Sequence, residues 1–134
     1  MIRGIVGTIV GAVSGTIVIM MLEMLGHAVY PFPPGLDPKD HAALTKFMMN
    51  APIGAWLFVL AAYAAGSFTG GAVGTLIGRK AWIGWVMGIL FTILGLVGLL
   101  MMSHPIWFWV VSLSLYVPAA WAGSRQVRRR EPAA

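Results

Sequence analysis

Charged side chains are missing from three stretches of the chain, residues 4–22, 47–78 and 81–124. A helix needs ~20 apolar residues to cross ~30 Å of hydrocarbon. The first two stretches each hold one such helix. The third is too long for one and breaks at Ser103-His104-Pro105, because proline disfavours helical backbone before it. The pattern predicts an all-α integral membrane bundle of four transmembrane helices near 4–28, 52–78, 82–102 and 106–124. Arg3 followed by an apolar run fits the start of a secretory signal. The run continues to Val29, however, and meets Tyr30-Pro31-Phe32-Pro33-Pro34 without a small-x-small cleavage site, so a retained helix is expected.

The connection 31–51 has a pattern of its own. Asp37-Pro38-Lys39-Asp40 offers an N-cap carboxylate, a proline at the first helical position and an acid in the first turn. Ala42, Ala43, Leu44, Phe47 and Met48 follow, which predicts a short surface helix over 38–49. The proline-rich segment before it is a stiff spacer. Trp56, Trp82, Trp85, Trp107 and Trp109 fall near the ends of the spans, as interfacial aromatics do.

Composition adds size and direction. The 134 residues are 59% hydrophobic and 10% charged, enough for one transmembrane domain and outside soluble usage. The net charge of +5 is uneven. Arg3, Arg79, Lys80, Arg125, Arg128, Arg129 and Arg130 flank one set of helix ends, whereas Lys39 and Lys46 are balanced by Asp37 and Asp40. Flanking Lys and Arg stay in the cytoplasm. Both termini and the 79–81 turn are therefore expected inside a bacterial-type inner (plasma) membrane, with 31–51 and its surface helix outside. Residues 125–134 read as a basic cytoplasmic tail touching anionic lipid heads, not nucleic acid. With no cysteine, disulfides and thiolate chemistry are excluded.

Glycine rows come next. Gly7, Gly11 and Gly15, then Gly66, Gly70, Gly74 and Gly78, then Gly84 and Gly88 recur at spacing four. That spacing puts each set on one helix face, where backbones can approach closely. Packing within the bundle is the ordinary reading. The four-glycine row is the best candidate for a subunit seam, and a homo-oligomer, most simply a dimer, is expected. A partner membrane protein bound through such a row is the alternative.

Glu23 is the one acid inside a span. A charge at a helix centre costs ~2.5–3.5 kcal/mol on insertion scales, so it should face protein or a cavity. With Thr16, Met20 and His27 it shares one helical sector beside the glycine row. Either a Glu23–His27 hydrogen bond fixes the helix, or the two line an outer-facing pocket, with His104 at similar depth. The histidines His27, His41 and His104 fall in one half with Met24 and Met101, donors suited to copper or zinc. No H-x-x-x-H or Met-x-x-Met pattern supports such a site, and two histidines alone make no haem motif. No cofactor is predicted, although copper, zinc and haem stay open.

No Ser/His/Asp set, phosphate-binding loop or carboxylate pair favours an enzyme. Four spans and a helix-1 glutamate are features of the small multidrug transporters. Glu23, however, lies nearer its helix end than that family's acid, and no motif is shared. The sequence-based expectation is a small oligomeric transporter or channel-like protein for a solute or cation, with an accessory membrane protein or an outer-facing metal binder as alternatives.

Overall fold

The computed structural model describes residues 1–131. Five helices follow in order: α1 (Ile2–Val29), α2 (His41–Met49), α3 (Ile53–Gly78), α4 (Trp82–Met101) and α5 (Ile106–Arg130). Four of them, α1, α3, α4 and α5, are long and apolar enough to cross a membrane. Among the described residues there is no strand.

Two boundaries differ from expectation. Helix α5 does not stop at 124 but runs on to Arg130, so residues 125–130 are helix and not a trailing tail. The cap of α2 is Asp40, whose carboxylate accepts from the Ala43 N–H at 3.2 Å. Asp37 instead opens a turn. Its carbonyl accepts from the Asp40 N–H at 3.0 Å and its carboxylate from the Lys39 N–H at 2.9 Å. Asp followed by Pro is the favoured start of such a turn, which delays the helix from 38 to 41.

Helix α3 is the hub, packed against α1, α5 and α4, while α1 touches α4 lightly and α5 not at all. The α1–α3 contact is a backbone seam. A Cβ on Gly11 would stand 2.6 Å from the Gly70 carbonyl oxygen and 2.9 Å from the Gly74 Cα. Gly7 meets Gly74 and Gly78 in the same way, and Gly15 meets Gly66. Descending numbers along α3 make the pair antiparallel. The α3 row, which suited either packing within the bundle or a subunit seam, is occupied by α1 of the same chain. Any side chain there would hold the backbones apart and forfeit the dispersion contacts that bind helices in lipid.

Helix α4 covers this seam with two side chains. Ile83 lies on Gly74 and Gly78, and Phe91 on Gly15 and Gly70. Gly84 and Gly88 face α5, against Ser124 and Val117. Helices α3 and α5 run parallel and close at Gly71, which meets the Ala120 backbone, and at Gly123, which meets that of Phe68. The buried Thr75 hydroxyl donates to Ser124 at 2.7 Å, so these two polar groups satisfy each other. Ile83, Met87, Phe91, Tyr116 and Ala120 form one buried core. A second, around Trp56, Leu60, Leu99 and Phe108, fills the end nearer 31–52.

Candidate functional site

Glu23 is half-buried on the flank of α1 beside the glycine row. Ala12 and Ile19 share that flank and pack against the first core, so the flank faces the bundle. Across from it stand two phenols, Tyr63 of α3 and Tyr116 of α5, with ring centroids 5.4 Å apart. The Tyr116 hydroxyl rests against Gly95 of α4. Ser67, one turn along α3 from Tyr63, is fully buried, and its Oγ has no hydrogen-bond partner. Two phenols, a buried serine hydroxyl and, on the flank of α1, a carboxylate are thus the polar groups of this part of the bundle.

Part of α4 is left uncovered. On α4 the face carrying Ile83, Met87 and Phe91 is buried, yet Leu94, Gly98 and Met101 continue that face and are exposed. A Cβ on Gly98 would have no neighbour within 4 Å. Helices α1 and α4 run parallel, touching at Gly4–Trp82 and Gly15–Phe91. Counting on from that second contact brings Glu23 level with Gly98 and Leu99. Beyond Phe91 nothing packs on Gly98, and this uncovered stretch of α4 is level with Glu23.

Several expected site residues lie elsewhere. Thr16 and Met20 are exposed, because only the glycine-side edge of their sector turns inward. His27 is also exposed, and it does not bond the Glu23 carboxylate. Its Nδ1 donates to the Glu23 main-chain carbonyl at 2.8 Å, the oxygen one turn back that such a ring reaches first. The ring packs on Phe32 at 5.1 Å, and Phe32 on Phe47 at 5.4 Å, which folds the proline-rich segment over the end of α1. His104 belongs to another cluster, stacked on Phe108 at 5.2 Å and near Trp56 at 5.5 Å. Its Nδ1 donates to the Met102 carbonyl at 2.8 Å. It is not part of the Glu23 site.

The metal candidates are likewise dispersed. His41 is exposed at the start of α2, and Met24 and Met101 are 72% and 75% exposed. Among the described residues no three His, Cys, Asp or Glu side chains gather in a metal-binding group. Met49, Met101, Met102 and His104 do line a shallow groove between α2 and the α4–α5 connection, next to a Thr45–Ser103 hydrogen bond of 3.3 Å.

Sequence reasoning passed over Tyr63, Ser67 and Tyr116. A signal was present for the tyrosines: both fall near the middle of a span, where a phenol needs a partner, and not at an interfacial end. Compared with models of protein families, with curated proteins and with solved structures, the chain has no match.

Proposed function

We propose that this chain is a small cation-binding membrane protein, a transporter or channel-like protein in which the Glu23 carboxylate is the binding group. One observation carries the reading. Glu23 is half-buried level with the uncovered stretch of α4, and among the described residues its carboxylate has no hydrogen-bond or ion-pair partner, the nearby His27 ring being bonded to the main-chain carbonyl instead. Placing a charge at that depth is costly unless something neutralises it. A proton or a small cation does so, and either can arrive along the uncovered stretch of α4. Tyr63 and Tyr116 add hydroxyl oxygens and aromatic faces, which attract cations by ~0.5–2 kcal/mol.

A single bundle offers no pore, since Met87, Phe91, Phe108 and Tyr116 fill its axis. The path runs along the uncovered stretch of α4, and a second copy set against α1 and α4 closes its lipid side. That geometry favours a dimer whose interface runs along α1 and α4, with each Glu23 turned toward its own bundle. The flanking-charge rule puts both termini in the cytoplasm of an inner membrane, and α2 with the histidines outside. A partner-helix role is the second reading, favoured by α1 being the least buried of the four spans.

The test uses the full chain in proteoliposomes, with Na⁺ and tetraphenylphosphonium as probes. Glu23→Gln loses saturable cation binding while keeping its thermal unfolding midpoint, and Glu23→Asp retains part of the binding. Undiminished binding by a folded Glu23→Gln protein overturns the proposal.

A further inference from the structure

The continuation of α5 creates a second site. Trp121, Arg125, Arg128 and Arg129 lie on one face of that helix and line a groove at its end. The Arg125 guanidinium sits 4.9 Å above the Trp121 ring, which holds it in place. Among the described residues no carboxylate forms an ion pair with these arginines. Like charges at i, i+3 and i+4 on one helix repel, so this face gains from a bound anion.

Depth identifies the anion. Gly4 against Trp82 and Gly84 against Ser124 bring the start of α1, the start of α4 and the Ser124 turn of α5 to one level. Trp82, Trp85 and Trp121 are all substantially exposed there, at 48%, 53% and 38%. Three outward indoles at one level are the belt that marks the headgroup boundary of a bilayer. The groove starts at that belt and runs outward, so its guanidinium groups stand where lipid phosphates lie. Guanidinium forks bind phosphate oxygens in pairs, which a lysine ammonium does not do. The part of the Trp121 indole left exposed supplies the apolar contact that a glycerol or acyl chain needs and a free anion does not use.

We propose that Trp121, Arg125, Arg128 and Arg129 form a binding site for the phosphate of an anionic phospholipid. The site rests on the four helices spanning a bilayer and is independent of Glu23. It makes the end of α5 a selective lipid contact and not merely a charge that sets topology.

Native mass spectrometry of the full chain released from mixed micelles counts the lipids retained. Phosphatidylglycerol is compared with phosphatidylcholine at equal mole fraction, with and without excess inorganic phosphate. The wild-type protein retains phosphatidylglycerol preferentially, and inorganic phosphate does not displace it. The triple variant Arg125→Lys, Arg128→Lys, Arg129→Lys keeps the charge and the topology signal but loses the forks, and its preference falls about tenfold. The double variant Lys80→Gln, Arg130→Gln removes two charges outside the groove and keeps the preference. An equal fall in both variants, an unchanged triple variant, or full displacement by inorganic phosphate overturns the proposal. So does retention of a short RNA oligomer in place of lipid. Should the triple variant misfold, Trp121→Leu carries the test, with a reduced phosphatidylglycerol preference expected and an unchanged one overturning the site.

Discussion

At the end marked by the 79–81 turn, helices meet backbone to backbone; at the end marked by residues 31–52, they meet through aromatic side chains. Near the turn, Gly7, Gly11 and Gly15 leave no room for a methyl group, and α4 seals the seam with Ile83 and Phe91. Near the loop, the contacts are rings: Trp56 on Phe108 at 4.8 Å, His104 on Phe108 at 5.2 Å, Phe32 on Phe47 at 5.4 Å. The change falls at one residue. Spacing four leads from Gly15 to position 19, but Ile19 stands there, and its side chain lies on Gly66. From that point α1 is separated from α3 by side chains, and the next turn holds Glu23. The difference teaches how a small bundle houses a polar group. Tight seams at one end supply cohesion, and the other end leaves a stretch of α4 around Gly98 uncovered.

Substitutions that exchange the character of the two ends break this comparison. The largest effect is expected from Gly11→Leu, which places a branched side chain where a Cβ already meets backbone at 2.6 Å. It should abolish the native bundle in SDS titration of mixed micelles, whereas Gly11→Ala should cost about 1–3 kcal/mol in the same assay. Next comes Phe108→Ala in the aromatic end. Phe108 is fully buried and bridges Trp56, His104 and Tyr63. Its truncation should cost about 3 kcal/mol and loosen the loop end first, read as faster amide exchange in α2 and in the first turns of α3 and α5. The smallest effect belongs to Gly98→Ala. Nothing stands within 4 Å of the added methyl group, so stability should hold or rise by up to ~1 kcal/mol from helix propensity. A large loss there would show that this stretch of α4 is covered.

Much of this architecture was legible in the chain, for stated reasons. The four spans follow from charge-free length, which the bilayer itself dictates. The glycine rows were visible because spacing four marks a face, but spacing does not say which helix meets that face. Hence the α3 row suited either packing within the bundle or a subunit seam, and only the structure shows that α1 fills it. Asp37 and Asp40 both suit a cap; the turn that Pro38 favours decides between them. Glu23 was identifiable from its loneliness in an apolar span. The mid-span phenols Tyr63 and Tyr116 carried a signal of their own, but that α3 and α5 bring their rings together is crossing geometry that no local pattern encodes. His27 misled because helical spacing brings it above Glu23, yet its ring nitrogen finds the carbonyl of that residue and not the carboxylate. Arg125, Arg128 and Arg129 were visible as charge, but their groove depends on α5 staying helical to Arg130.

The central claim is that Glu23 is the group a cation meets. Infrared difference spectroscopy of the reconstituted protein, recorded as tetraphenylphosphonium is added and removed, tests it most directly. The account predicts a carboxyl or carboxylate difference band on cation addition that vanishes in Glu23→Gln. The same band in the folded Glu23→Gln protein, or none in the wild-type protein at saturating cation, would contradict it.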